Sequence, residues 1–235
     1  MVNDPLFSCE KTACLRYNRY VRACLFILFL MFCSATATAA DFDEALSGME
    51  LRYASADTAV GNFKQIYRVP GITQEETGVF KLKRPGLMRW EYRTPEEKLF
   101  IADGKECFLY MPIDRQVTIY PLTPADLART PLAFLLGGGN VRRDYTASEE
   151  TEYKPAFPDT VMPRLIPVQD NGEYTFVVLE LDAKTFDIRR VIIRERNGNT
   201  SEFFLSDIVL NQKTNDRDFR FRPPRGVEII RVQED

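Results

Sequence analysis

No histidine occurs anywhere in the 235 residues, and that absence removes most hydrolytic chemistry. Ser-His-Asp and Cys-His arrangements, zinc sites with imidazole ligands and a proton shuttle near neutral pH all need that side chain. Of the five cysteines, Cys9, Cys14, Cys24 and Cys33 stand in the first 39 residues. Only Cys107 follows, too few for a thiolate metal site or a dithiol exchange pair, and it reads as a buried, inert thiol beside Phe108. Paired carboxylates are the remaining acid–base option. Those present, Glu75-Glu76, Glu96-Glu97, Glu149-Glu150, Asp216 and Asp218, read as solvated charges in turns and on polar strand faces. Gly137-Gly138-Gly139 follows an apolar helix and does not open one, so it reads as a helix stop and not as a phosphate cradle. No catalytic residue, metal ligand or cofactor is expected.

What the chain does concentrate is bulky apolar surface. Residues 78–111 carry short strands separated by Arg84-Pro85-Gly86, Arg93-Thr94-Pro95 and Asp103-Gly104. Within them large apolar residues recur at every second position: Phe80 and Leu82; Met88, Trp90 and Tyr92; Leu99 and Ile101; Phe108 and Tyr110. Alternation at period two puts such residues on one face of an antiparallel sheet. A face so rich in aromatic residues must be buried in a core or offered to an apolar guest. The expectation is that Met88, Trp90, Tyr92, Leu99, Ile101, Phe108 and Tyr110 line one such face.

The elements that position these residues begin after a leader. Arg16, Arg19 and Arg22 precede the apolar run at 23–33, and small residues follow at 34–40, the pattern of a secretory signal peptide cut near Ala39. The apolar run is too short for a spanning helix, and Phe32 before Cys33 disfavours a lipoprotein cut. Four of the 31 basic and two of the 34 acidic residues lie in the leader, so the remainder is net −5 with no basic cluster, and nucleic acid is not an expected partner. Residues 40–235 are expected to form a single domain. Phe42, Leu46, Met49 and Tyr53 mark an amphipathic helix over 41–57. Strands are expected over 58–69, 115–120, 141–146, 173–181, 186–196, 200–210 and 218–222, with a two-residue hairpin turn at Asn197-Gly198 and a proline-rich loop over 155–167. Between 121 and 136 two short helical pieces are expected, capped by Thr123 and Thr130; the second is apolar nearly all round, with Leu132, Phe134, Leu135 and Leu136. The fold class is mainly β (α+β): a curved antiparallel half-barrel of about ten strands, with short lid helices over its concave apolar face.

These residues resemble a known family. The run 83–90 (Lys83-Arg84-Pro85-Gly86-Leu87-Met88-Arg89-Trp90), then Thr94-Pro95, Asp103-Gly104-Lys105, Tyr110-Met111-Pro112, Thr130-Pro131-Leu132 and the closing run Phe219–Val227, is similar in order and content to the periplasmic carriers of outer-membrane lipoproteins, LolA. The resemblance implies a monomeric half-barrel in the periplasm whose apolar face takes the acyl chains of lipoproteins. It implies an inner-membrane ABC-type extractor and an outer-membrane lipoprotein receptor as partners, no enzymatic step, and Arg84 as the arginine that gates the lid. Two positions depart from the family pattern: Met88 stands where a family member carries Phe, and the chain is short after Val227. The reading from a different class is an envelope module on the same fold that senses lipid or protein and signals through a partner. Co-purified lipoprotein would support the first, and a stable protein partner without lipid the second.

Overall fold

The computed structural model describes residues 41–122, 135, 140–170 and 172–232. Helix α1, Asp41–Ala54, forms where the apolar stripe recurs at spacings of three and four: Ala45, Leu46, Met49 and Tyr53 are buried on one side, and Leu51 faces water on the other. Strands β1 (Thr58–Val69) and β2 (Ile72–Lys83) form a long hairpin closed at Pro70-Gly71, where Gly71 takes φ +80°. Strands β3 (Leu87–Thr94), β4 (Lys98–Ala102), β5 (Glu106–Met111) and β6 (Gln116–Pro121) continue as an antiparallel meander. After the connection to Asn140 come the helical turn α2 (Val141–Asp144) and β7 (Tyr145–Glu149), then β8 (Thr160–Val161), β9 (Pro163–Pro167), β10 (Tyr174–Asp182), β11 (Ile188–Glu195) and β12 (Thr200–Leu210). A 3-10 turn at Asp216–Phe219 leads to β13 (Glu228–Arg231).

All thirteen strands belong to one open sheet. Twelve lie in the order β13-β6-β5-β4-β3-β2-β1-β12-β11-β10-β9-β7, and β8 pairs with β10. The strand β6 lies beside one margin and β7 forms the other. Leu135, the one described residue between 123 and 139, is fully buried.

Several expectations are corrected. Thirteen strands replace about ten, because the proline-rich stretch holds β8 and β9 and the closing residues add β13. That last strand runs parallel to β6, with Glu228 N–H donating to Arg115 O at 2.8 Å, so the sheet is not wholly antiparallel. Residues 141–144 are helical because the Asn140 side chain accepts the Arg143 N–H and caps the turn. The expected strand at 218–222 is replaced by the 3-10 turn, capped in the same way by Asn215. Between β11 and β12 the chain spans four residues, 196–199, not two: Glu195 N–H bonds Asn199 O, and Gly198 takes φ +89°. Glu76 and Glu150 are buried and paired, not solvated: Lys98 meets Glu76, and Arg164 donates to both Glu150 oxygens at 2.8 and 3.0 Å. Burial alone would raise the Glu150 pKa, but the Arg164 donors and the N–H groups of Glu152 and Tyr153 outweigh it and hold the carboxyl below its usual range.

The two faces of the sheet are covered differently. On the inner face, α1 and Leu135 pack on Phe63, Phe80, Leu82, Met88, Trp90, Leu179, Leu181, Val191, Phe203 and Leu205. The outer face is roofed by the chain's own straps. Phe221 and Val227 cover Ile101, Phe108, Val117 and Ile119. Further along, the 150–161 segment is tied down by buried Glu180, which accepts from Ala156 N–H, Phe157 N–H and Thr160 Oγ1 at 2.8–2.9 Å. Arg190 lies 2.6 Å from Glu180, donates to Glu202 at 2.8 Å and to Lys154 O at 2.7 Å, so each of these buried charges is paired.

Two variants test this packing. The β2–β3 register slips at Gly78, and a Cβ there would run into the Glu91 carbonyl oxygen and lie 2.7 Å from the Phe63 ring. Gly78→Ala should cost about 2–3 kcal/mol in urea unfolding; a change below about 0.5 kcal/mol would show that the close approach is relaxed at no cost. Tyr53, fully buried, accepts the Ile188 N–H on its hydroxyl at 3.1 Å, and burial pushes its pKa up to about 12. Since the folded value exceeds the ordinary 10, this contribution is complete below pH 10 and is lost as pH rises to about 12. Tyr53→Phe strands the Ile188 N–H and should lose about 1–2 kcal/mol at pH 7. It should also lose less further stability than wild type between pH 10 and 12; parallel alkaline profiles would contradict the assignment.

Candidate functional site

The inner face is an aromatic trough built from β12, β1, β2, β3 and β4. Cross-strand pairing sets Phe80 beside Trp90 and Leu82 beside Met88, and Trp90 then pairs with Phe100. Trp90 stacks on Phe80 with centroids 5.0 Å apart and meets Phe63 edge-on at 4.9 Å and Phe203 at 5.8 Å. Phe63 also meets Tyr92 edge-on at 4.9 Å. Met88 and Trp90 are 4% and 3% exposed, so the trough is covered in this state. At one end it turns polar: the Tyr92 hydroxyl donates to Gln65 Oε1 at 2.9 Å, Gln65 reaches Ser201 Oγ, and Lys98 lies over the Tyr92 ring. Burial, and after it the Glu76 carboxylate, push the Tyr92 hydroxyl well above its ordinary pKa.

Of the seven residues expected to share one apolar face, only Met88, Trp90 and Tyr92 lie in the trough. Leu99 pairs with Glu91 and Ile101 with Arg89, which puts both on the outer face; Tyr110 and Phe108 follow them there by pairing with Leu99 and Ile101. Phe221 closes over that set, 5.7 Å from Phe108 and 5.5 Å from Tyr110. Leu99, Ile101, Phe108 and Tyr110 are thus a second core, on the opposite side of the sheet from α1. The cause is parity. In the β3–β4 hairpin even residues face even residues, so apolar odd positions on β4 point the other way. The signal was the unbroken run Leu99-Phe100-Ile101-Ala102, which marks a strand buried on both faces. Phe63, Phe100, Phe203 and the α1 stripe are the trough residues that alternation within 78–111 alone does not reveal.

At the other end of the trough, the Arg84 side chain donates from Nη2 to the Tyr53 carbonyl at 2.9 Å, and its own N–H donates to Asp57 O at 2.9 Å. Among the described residues, the helix that Arg84 holds is α1. Leu135 is buried in the same cluster as Trp90 and Leu46, while Leu132, Phe134 and Leu136 lie outside the described residues. The remaining fastenings of α1 run to the other half of the sheet: Tyr53 to Ile188, Arg52 to Asp187 at 2.6 Å, Glu50 accepting Val141 N–H at 2.7 Å, and Arg142 donating to Ser47 Oγ at 3.0 Å. Toward β2–β6, Arg84 supplies the single hydrogen bond to α1 among the described residues. Those residues contain no cluster of three or more potential metal ligands.

Comparison with known proteins identifies the family of the chain. The profile of the family described as outer membrane lipoprotein carrier protein LolA matches residues 54–222. The outer-membrane lipoprotein carrier protein of Hahella chejuensis is 31% identical over 212 residues, 88% of this chain and 96% of that one. That of Nitrosomonas europaea is 31% identical over 166 residues, 68% of this chain and 75% of that one. A LolA superfamily protein of known structure, also from Nitrosomonas europaea, is 14% identical and superposes with a TM-score of 0.43 over 76% of this chain and 97% of that one. With a family profile spanning most of its length and relatives of this identity, the chain belongs to the LolA family of outer membrane lipoprotein carrier proteins.

Proposed function

We propose that this protein carries lipoproteins across the periplasm by sheltering their acyl chains in the aromatic trough beneath α1. The observation that carries this reading is the pairing of a continuous apolar face with a helical cover latched on one side by Arg84. An acyl chain of about 16 carbons needs on the order of 12 kcal/mol of shelter from water, at about 0.8 kcal/mol per CH₂. The Leu46, Met49 and Tyr53 side chains occupy that face in the closed state. When they lift, a guest of similar apolar character takes their place, so apolar burial is exchanged and not lost. Residues 1–39 act as the export signal, cut near Ala39, and residues 40–235 work as one domain without a catalytic step. The cargo comes from an inner-membrane ABC-type extractor and passes to an outer-membrane receptor. Arg84 sets the balance between open and closed: one hydrogen bond of about 1 kcal/mol holds the cover without locking it.

Native mass spectrometry of the exported chain recovered from its own cell envelope should find it bound to lipoprotein; a chain bound only to a stable non-lipidated protein would favour the sensing module. Arg84→Leu removes the latch. The variant should take cargo readily but pass it to a receptor-bearing membrane several-fold more slowly, since the closed state no longer competes with the guest. Transfer at the wild-type rate would take Arg84 out of the mechanism.

A further inference from the structure

Arg84 keeps one buried donor idle. Its Nη2 serves Tyr53 O, yet its Nε is shielded from solvent and has no hydrogen-bond partner. Buried N–H groups are nearly always paired, because leaving one unmade forfeits its hydration with nothing in return. The side chains that flank the β2–β3 turn on the inner face, those of Leu82 and Met88, carry no oxygen. The latch is also easily surrendered by its acceptor. Tyr53 O receives the Ala56 N–H at 3.1 Å as well, so it stays satisfied when the guanidinium leaves. Arg84 then stands at the end of the trough with its Nε and the released Nη2 both available, and its backbone still fixed to Asp57 O. A guanidinium offers donors and no acceptor. The matching group is one that accepts and does not donate.

Building on the carrier reading above, we propose that Arg84 is also a cargo ligand: on opening, its guanidinium exchanges the Tyr53 carbonyl for a carbonyl oxygen of an acyl ester at the head of a bound chain. The tail lies along Met88 and Trp90, and the ester oxygen sits where the helix carbonyl was. The exchange makes the same hydrogen bond the signal for opening and the contact that fixes how far each chain enters. A fully saturated hydrocarbon or ether-linked chain would fill the trough but leave the donors idle.

The test compares two probes of equal chain length, dioctanoylglycerol and its dioctyl ether counterpart, as competitors of an environment-sensitive fatty probe bound to the exported chain, residues 40–235. Wild type should bind the ester about tenfold more tightly than the ether, the size of one charge-assisted hydrogen bond. Arg84→Met is apolar and of similar reach; it should bind both probes with a ratio near one, because any easing of lid opening acts on both equally and cancels. Equal binding of the two probes by wild type, or an ester preference kept by Arg84→Met, would overturn the proposal while leaving the carrier reading in place. If wild type bound neither probe, the carrier reading would fail, and this proposal with it.

Discussion

The inner face of the sheet cannot be left wet. Phe63, Phe80, Leu82, Met88, Trp90, Phe203 and Leu205 form one continuous apolar surface across four strands, and exposing each such side chain costs on the order of 1.5–3 kcal/mol. Something must always cover it. In the closed state the cover is α1 with Leu135, and every apolar residue on the helix stripe is spent on that contact. The open, empty state is therefore costly, and an opened trough without a guest is the form that would aggregate. A carrier built this way does not hold an empty pocket in readiness. On the reading proposed above it trades one apolar cover for another, so that the helix and the guest would compete for the same surface.

That competition works only if the opposite face is settled. The outer side of β4–β6 is closed by Phe221 and Val227, and Lys81 and Lys83 pair with Asp218 and Asp216 of the 3-10 turn. Under the 150–161 strap, Glu180, Arg190 and Glu202 are almost fully buried and mutually paired. Removing one partner from such a set leaves an uncompensated buried charge, a cost of about 3–5 kcal/mol. The outer cover is thus bound by directional, expensive contacts, while the inner cover is bound mostly by contacts that any apolar surface can replace. The difference in the kind of cover, not in the amount of burial, marks the inner face as the one that can open.

Much of this was legible in the sequence, and the failures share a cause. The strand 58–69, the hairpin strand 200–210 and the α1 stripe appear where the pattern puts them, since each is set by its own periodicity and punctuation. The faces were not legible, because alternation fixes the sides within a strand and says nothing of the next strand until the turn length is known. Met88 and Trp90 went to the trough and Ile101 and Phe108 to the outer core on that account alone. The closing Phe219 and Phe221 read as strand because they alternate, yet their alternation serves a strap, with Phe219 buried and Phe221 on the Phe108 and Tyr110 rings. Arg84 stood out by resemblance; that it reaches the Tyr53 carbonyl, 31 residues earlier, depended on where the helix end is carried by the sheet.

The fastening of α1 is lopsided, and this constrains how the cover moves. On the side of α2, β10 and β11 it is tied by the Arg52–Asp187 ion pair, the Tyr53 hydroxyl, Glu50 and Arg142. Toward β2 and β3 it is tied by Arg84. A helix held by several bonds along one margin and by one side chain on the other opens first at the weaker margin, because the least costly displacement breaks the fewest directional contacts. That margin is where Leu82, Met88 and Trp90 lie. In the carrier reading proposed above, the first apolar surface uncovered would be the β2–β3 part of the trough, beside the Arg84 latch, where a guest chain would meet aromatic surface and guanidinium donors together.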